Sequence, residues 1–230
     1  MSHLVNILVA YSTVRKGKLI FLSSDEVYSG NYINDIEETE KTLGFGMRAD
    51  ILAQAEEICE NFRKNRSTDI VILRLDHLYC IPRDRKDVNN ICARMCLECL
   101  SEGYIKADTD HTFSLLFEKD AVEYIYKVVS TGKHEYSLYQ LSSNDVVSEL
   151  ELAAMVQEHM AANIVTSSGG IGRCVLSGTR FEKEYGVHAF GDLNRNIEKM
   201  AAYMQKHKAV FVNEDKLELP WWKVLWNQWK

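Results

Sequence analysis

The stretch that decides the fold is Lys18-Leu-Ile-Phe-Leu-Ser-Ser-Asp-Glu-Val-Tyr-Ser-Gly30. Its apolar residues 19–22 predict a buried strand, and hydroxyls and carboxylates follow directly at the carboxyl end of that strand. In an open α/β sheet, side chains at the carboxyl ends of the strands project into the crevice where ligands bind. The stretch therefore predicts an α/β fold with a candidate catalytic site at Ser24, Asp25 and Glu26.

The composition is that of an ordinary globular protein, with 46% hydrophobic and 26% charged residues in a chain of 230. The net charge is −6 and no run is rich in lysine or arginine, so we predict no nucleic-acid partner and no anionic membrane partner. No apolar stretch is long enough to span a bilayer, and residues 1–6 lack the features of a signal peptide. We therefore expect a cytoplasmic protein whose six cysteines are reduced.

The segments on either side of the first strand alternate between helix and strand. Apolar residues at helical spacing predict a helix over 4–14, and a second helix is predicted over 44–64 after a polar loop. The β-branched run 70–75 predicts a second buried strand of a parallel sheet. His77 follows this strand as either a ligand or base, or a hydrogen-bonded structural residue, and the second interpretation is favoured.

The rest of the chain continues the alternation. The predicted elements are a helix over 87–101, a strand over 111–117 with Asp120 capping the next helix, a strand over 136–141, a helix opened by a capping box at Ser148, and a last helix over 192–206. The glycine-containing segment 168–172 is interpreted as a loop, because no strand-turn-helix pattern surrounds it.

Three cysteines in the predicted helix 87–101 need a separate interpretation. The spacing of Cys92, Cys96 and Cys99 matches the three-cysteine motif of radical S-adenosylmethionine enzymes. On a helix, however, they share one face with Met95, and small buried hydrophobic side chains suit such a face. We interpret the cysteines as core residues, and the sequence predicts no metal site.

The order of these motifs resembles a known family. The stretch 18–30, the acidic residues 37–39, a long helix and the strand that ends in residues 73–79 resemble the extended short-chain dehydrogenase/reductase family, the NAD-dependent nucleotide-sugar epimerases and dehydratases. The sequence of residues 23–28 looks most like that of the 4,6-dehydratase branch of the family. The resemblance implies three regions: a partial Rossmann-like parallel sheet in residues 1–83, the remaining core strands with a smaller α/β substrate-type domain in 84–210, and a tryptophan-rich tail in 211–230.

The chain also departs from the family pattern. The family's first strands and its glycine-rich cofactor turn have no counterpart, so the sequence looks N-terminally truncated. Phe45 and Ala49 stand where the family has the tyrosine and lysine of its Tyr-x-x-x-Lys pair, and neither Arg48 nor Tyr28 is a good replacement. We therefore expect no cofactor on the isolated chain, and NAD(P) only if a partner supplies the missing half.

The resemblance implies further site residues. If the protein is active, Ser24 would polarise the sugar oxygen, and Asp25 and Glu26 would act as acid and base. The alternative for the two carboxylates is a solvated turn that orders the loop. The family's Asn-Val-Tyr-Gly-Pro loop corresponds to an altered segment here, and its candidate substrate-binding residues are His77, Tyr79 and Arg83.

Two functional hypotheses follow. The first is a degenerate, non-catalytic member with a binding, scaffolding or regulatory role near nucleotide-sugar metabolism. The alternative is an active nucleotide-sugar epimerase or 4,6-dehydratase subunit that another chain completes with the NAD-binding half. A nucleotide-sugar is a candidate ligand of either.

The partner predictions start from the exposed edge that strand 19–22 presents when its neighbour is missing. Another subunit, the tail, or a separately encoded N-terminal half is expected to cover it. The resemblance also implies a homodimer through helices 4–14 and 44–64. Trp222, Trp226 and Trp229 fall at helical spacing in the tail, which favours packing on protein over insertion into a membrane.

Overall fold

The computed structural model describes residues 2–14, 16–28, 32–143, 145–169, 172–186 and 191–212. The tryptophans of the predicted tail lie outside these residues. Within the described ranges, no helix combines the length and apolar character that crossing a membrane requires.

The fold is α/β with parallel sheets. In chain order, the strands are β1 (Leu19–Ser24), β2 (Ile70–Leu75), β3 (His77–Tyr79), β4 (Tyr104–Asp108), β5 (Thr112–Phe117), β6 (Leu138–Leu141), β7 (Asp145–Ser148), β8 (Asn163–Ser167) and β9 (Arg173–Cys174). The helices are α1 (Ser2–Val14), α2 (Met47–Arg66), α3 (Ile91–Glu102), α4 (Glu118–Ser130), α5 (Glu149–His159), α6 (Thr179–Tyr185), α7 (Leu193–Lys206) and α8 (Lys208–Val212).

The central sheet has the order β1-β2-β6, and all three strands are parallel. β1 and β2 pair over their whole length, from Leu19 beside Ile70 to Ser24 beside Leu75. This register brings the carboxyl ends of the two strands together, which places the residues that follow them side by side. Within the described ranges, β1 pairs only with β2, so its other edge is open.

Strand β2 is the centre of the sheet, and all six of its residues are buried. Ile70 and Ile72 pack with Leu8 of α1 and Cys59 of α2 on one face. Val71, Leu73 and Leu75 pack on the other face in the cluster that includes Tyr124 and Val128 of α4. Helices on both faces of this parallel strand therefore explain the consecutive apolar residues 70–73.

A second group of elements surrounds the largest apolar cluster. β5 pairs with the parallel strands β3 and β9 and with the antiparallel strand β7, and β4 pairs with β8. Helices α3, α5, α7 and α8 supply most of the buried side chains of this cluster. The cysteine face of α3 is confirmed as core, because Cys92, Met95, Cys96 and Cys99 are all buried. The domain boundaries after residues 83 and 210 stay predictions.

Two helices begin later than the sequence predicts. The helix predicted from residue 44 begins at Met47, because Gly46 has φ +100°, which is outside the helical region. The helix predicted from residue 87 begins at Ile91. Residues Arg85–Asp87 form a 3₁₀ turn instead, and Asn90 caps α3 by accepting a hydrogen bond from the Ala93 N–H at 2.9 Å.

The predicted cap at Asp120 is wrong. Phe117 holds the N-cap position of α4, and Asp120 is buried in the first turn, where a carboxylate favours the positive end of the helix dipole. The capping box at Ser148 is confirmed by reciprocal hydrogen bonds with Glu151. The predicted last helix is also confirmed as α7, with Asp192 as its N-cap.

Candidate functional site

The end of β1 carries the first part of the site. Ser24 caps a 3₁₀ turn over Asp25–Val27, and its hydroxyl accepts a hydrogen bond from the Glu26 N–H at 3.2 Å. The same hydroxyl donates to Oδ1 of Asp25 at 2.8 Å. The turn holds the Asp25 carboxylate above the sheet, on the side where β2 ends.

Residues after β2 and β6 complete a strand-end cluster of Ser24, Asp25, Asp76, His77 and Ser142. Nδ1 of His77 lies 2.6 Å from Oδ2 of Asp25 and 3.7 Å from Oδ1 of Asp76. Asp76 also accepts hydrogen bonds from the His77 backbone N–H at 2.9 Å and from the Ser142 hydroxyl at 2.7 Å. Three neighbouring strands thus contribute to one polar group, as expected where parallel strands end.

Burial and charge act in opposite directions on Asp25 and His77. Burial raises the pKa of Asp25, but the nearby His77 charge, together with the Ser24 hydrogen bond, outweighs burial and lowers that pKa. Burial lowers the pKa of His77, but Asp25 and then Asp76 outweigh it and raise that pKa to about 10. At neutral pH, Asp25 is therefore an ionised carboxylate beside a charged imidazole, which makes it a poor proton donor.

Glu26 is the exposed carboxylate of the predicted catalytic set. Its side chain is 43% exposed and lies 2.8 Å from Nε of Arg48. Burial raises the pKa of Glu26, and the Arg48 charge opposes that rise. Adjacent carboxylates at the same turn therefore have different environments, because Asp25 is buried in an ion pair and Glu26 reaches solvent.

The two positions that the resemblance assigns to the family tyrosine and lysine, 45 and 49, hold no titratable group. The Phe45 side chain is 94% exposed, whereas Ala49 is buried. A Cβ placed on Gly44 would lie 2.4 Å from Cβ of Ala49 and 2.6 Å from the Glu26 carbonyl oxygen, so the Gly44 backbone packs directly against both. The side chain of Ala49 therefore packs against Gly44, which in turn contacts the 3₁₀ turn after β1.

Tyr28 is the nearest phenol along the chain, but it is part of a buried network. Its hydroxyl accepts hydrogen bonds from the Arg74 guanidinium and from the Gln140 side chain, the latter at 2.7 Å. Burial raises the pKa of Tyr28 to about 12. These contacts agree with the expectation that Tyr28 is not a good replacement for the family tyrosine.

The structure does not bring all predicted substrate-binding residues together. His77 lies in the strand-end cluster, but Tyr79 is buried in the largest apolar cluster, where Nδ2 of Asn196 donates to its hydroxyl at 3.1 Å. Arg83 is exposed, and its carbonyl oxygen accepts from the Tyr203 hydroxyl at 3.5 Å. Their roles as substrate ligands stay predictions.

Sequence reasoning missed Asp76 and Ser142. Both follow the last residue of a buried strand directly, as Asp25 follows Ser24. Applying the strand-end rule to all three strands would have found them. A further polar group lies nearby: the His111 ring is 6.4 Å from the His77 ring, and its Nδ1 is 3.1 Å from Oε2 of Glu149.

The described residues do not fit a dinucleotide. A glycine-rich pyrophosphate site needs a strand, a tight turn and a helix in that order. Among the described residues, 168–169 follow β8 and 172 directly precedes β9, so no helix begins there. Phe45 and Ala49 also lack donors for a ribose. The described part of the chain therefore does not supply a recognisable NAD site of its own.

Comparison with known proteins decides the family. Residues 2–141 match the sequence profile of the NAD dependent epimerase/dehydratase family. The chain belongs to this family. The resemblance to the extended short-chain dehydrogenases/reductases is thereby confirmed, as is the Rossmann-like α/β fold. No curated protein sequence matches significantly.

Solved structures of family members share the fold at low sequence identity. The dTDP-glucose 4,6-dehydratase of Bacillus anthracis, in complex with NAD, has a TM-score of 0.79 at 15% identity, over 89% of this chain and 67% of that chain. The UDP-glucuronic acid 4-epimerase of Bacillus cereus, in complex with NAD, has a TM-score of 0.74 at 17% identity, over 87% and 65%. The UDP-glucose 4-epimerase of Thermus thermophilus, also with NAD, has a TM-score of 0.74 at 16% identity, over 88% and 68%.

The epimerase/dehydratase family member described here spans about two thirds of the length of these enzymes, as the covered shares of 65–68% show. The low identities show a common fold and no more.

Proposed function

We propose that this family member is degenerate and non-catalytic, with a binding, scaffolding or regulatory role near nucleotide-sugar metabolism. The observation that carries the proposal is the absence of a titratable side chain at position 45, just before α2, and at position 49, in its first turn. Phe45 projects into solvent, and Ala49 is packed against Gly44 and the turn at the end of β1. Proton exchange with a sugar hydroxyl needs a titratable side chain within hydrogen-bond reach, and neither residue offers one.

The environments of the remaining acids support the same conclusion. Asp25 is held ionised by His77, so it does not readily donate a proton to a leaving group. Tyr28 has its hydroxyl occupied by Arg74 and Gln140 inside the protein. Of the predicted acid and base pair, only Glu26 keeps both exposure and a raised pKa, and a single carboxylate does not replace the missing pair.

The test is direct titration of the purified chain with NAD⁺, NADH, NADP⁺, NADPH, UDP-glucose, UDP-glucuronic acid and dTDP-glucose by calorimetry, combined with a turnover assay for each sugar. We expect no micromolar cofactor binding and no turnover, whereas binding of a nucleotide-sugar alone would support a binding role. Turnover by the isolated chain that disappears in Ser24→Ala would overturn the proposal, because it would show that residues at the end of β1 catalyse the reaction.

A second candidate is an active subunit completed by another chain that supplies the NAD-binding half. Ser24 and Glu26 at the end of β1, together with the open edge of that strand, favour this candidate. Native mass spectrometry of the purified protein would detect a co-purifying chain. Activity of that complex should then fall in Glu26→Gln and persist in Glu57→Gln, a matched change at an exposed position of α2. Equal activity in both variants would remove Glu26 from the chemistry.

We also propose self-association through α1 and α2. Ile7 and Val14 of α1 are 56% and 63% exposed, and Met47 and Ile51 of α2 are 64% and 48% exposed. Exposed apolar side chains grouped on neighbouring helices are typical of protein interfaces. Light scattering after size exclusion should show a dimer that Ile51→Glu weakens and Gln54→Glu, an exposed position on the same helix, does not. A monomeric wild-type chain would exclude this interface.

A further inference from the structure

We propose that Asp25, Asp76 and His77 bind a divalent transition-metal ion, with Zn²⁺ as the best match, at the carboxyl ends of β1 and β2. One carboxylate oxygen from each aspartate and one imidazole nitrogen all lie within 4.8 Å of one another. The inference does not depend on cofactor binding or on turnover of a sugar. It concerns ligand atoms that the paired strand ends bring together, although the sequence shows only an isolated Asp-Glu and an Asp-His pair.

The orientation of His77 is the first support. Nδ1 is buried and 2.6 Å from Oδ2 of Asp25, yet no acceptor lies where a hydrogen bond from this nitrogen would point. Oδ2 is therefore close to Nδ1 but off its axis, while Oδ1 of Asp76 is 3.7 Å away. An ion on the axis of Nδ1, between the two carboxylates, would give this nitrogen a partner and bind an oxygen of each aspartate, once the Nδ1 to Oδ2 separation has widened.

The charge of the cluster is the second support. The Asp25 and Asp76 side chains are 8% and 0% exposed, and a single imidazole faces both. In the part of the chain that the structure describes, no lysine or arginine forms an ion pair with either aspartate, and Arg48 pairs with Glu26 instead. Two buried carboxylates next to one cationic group leave negative charge uncompensated, and a divalent cation would neutralise it.

Hydrogen bonds hold the two carboxylates in the orientation that a metal site needs. The Ser24 hydroxyl donates to Oδ1 of Asp25 at 2.8 Å, and the Ser142 hydroxyl donates to Oδ2 of Asp76 at 2.7 Å. Each serine therefore holds one oxygen of its aspartate. The other oxygen of Asp25 lies beside Nδ1 of His77, and Oδ1 of Asp76, which accepts the His77 backbone N–H, lies 3.7 Å from Nδ1. Such outer partners orient the ligands and contribute to metal affinity.

The ligand types define the class of ion. Two carboxylate oxygens and one imidazole nitrogen suit Zn²⁺, Co²⁺ or Mn²⁺, whereas Mg²⁺ and Ca²⁺ prefer oxygen ligands throughout. The His77 side chain is 35% exposed, which gives an ion a path from solvent and leaves a coordination position open to water or a ligand. Bound zinc would displace the proton of His77, so affinity should increase as the pH rises.

The experiment uses the full chain, with Zn²⁺ followed by calorimetry and Co²⁺ followed by its visible absorption. We expect one ion per chain, loss of binding in His77→Gln and Asp76→Asn, and about 10–100-fold weaker binding in Ser142→Ala. His111→Gln is the matched control, because it removes a neighbouring imidazole outside the cluster. Circular dichroism and thermal melts of each variant establish that it is folded.

Two results would overturn the proposal: no stoichiometric Zn²⁺ or Co²⁺ binding by the wild-type chain, or binding that persists in both His77→Gln and Asp76→Asn. If one of these variants fails to fold, Asp25→Asn and the zinc-induced rise in the Tm of the wild-type chain keep the question decidable. A negative result here leaves the proposed non-catalytic role unaffected, because that role is tested by cofactor and sugar titration.

Discussion

The buried ion pair between Glu56 of α2 and Arg74 of β2 allows the most quantitative prediction. Their side chains are 7% and 6% exposed, and Nη2 of Arg74 lies 2.6 Å from Oε2 of Glu56. Nε of Arg74 also donates to Oε1 of Glu56 at 3.0 Å, and Nη1 donates to the Tyr28 hydroxyl. One guanidinium thus joins α2, β2 and the segment that follows β1, so its loss should affect the whole sheet.

The change Glu56→Gln keeps the shape of the side chain and removes its charge, which leaves Arg74 buried without a counter-ion. Breaking a buried pair in this way costs about 3–5 kcal/mol of the free energy of unfolding. Such a loss is a large part of the roughly 5–15 kcal/mol that stabilises a typical protein. At about 2–4 °C per kcal/mol for a chain of this size, the Tm should fall by about 6–20 °C.

Urea denaturation followed by circular dichroism measures the effect, with Glu57→Gln as the matched control at the adjacent exposed position. The control should change stability by less than about 0.5 kcal/mol. The double change Glu56→Met with Arg74→Met should recover most of the loss, because apolar side chains of similar volume need no counter-ion. A cost below about 1 kcal/mol for Glu56→Gln would show that water or another group neutralises Arg74, and would refute the reasoning.

Three further predictions concern other parts of the chain. Ser148→Ala removes the capping box of α5 and should cost about 1 kcal/mol in urea denaturation. Burial opposes ionisation of Glu149, but the hydrogen bond with His111 helps to lower its pKa. The ionised Glu149 therefore stabilises the folded protein, and this contribution is lost as the pH falls below the ordinary carboxyl pKa of 4.5. The stability difference between wild type and Glu149→Gln should shrink over that pH range. Burial raises the pKa of Cys96 to about 12 and of Cys99 to about 11, so a thiol reagent at pH 8 should label them only after unfolding.

The elements that the sequence predicted best are those with the strongest local signals. The run 70–75 forms a strand with the predicted bounds; helices on both faces bury all six residues, of which five are apolar and Arg74 is paired with Glu56. The capping box at Ser148 was also predictable, since its hydrogen bonds lie within four residues. The start of α2 was misplaced because Gly46 adopts φ +100°, a conformation that glycine permits but that the helical periodicity of the following residues does not reveal.

Only part of the candidate site could be predicted, because the rest depends on contacts between residues that are distant in sequence. Ser24, Asp25 and Glu26 follow one strand and were found from that strand alone. The contact between Asp25 and His77 exists because Ser24 lies beside Leu75 in the sheet, and a shift of one residue in this register would separate the two side chains. Register between distant strands depends on the whole core, so no local pattern identified the cluster.

The buried network beneath the strand ends and positions 45 and 49 differ in what they contribute to folding. Glu56, Arg74 and Tyr28 are buried together, and replacing one of them would leave a charge or a hydroxyl without its partner. Phe45 is almost fully exposed and Ala49 contributes only a methyl group to packing, so neither position requires the tyrosine or lysine of the active enzymes for stability. Under the proposed non-catalytic role, folding constrains the buried network beneath the strand ends, whereas it does not require a titratable side chain at position 45 or 49.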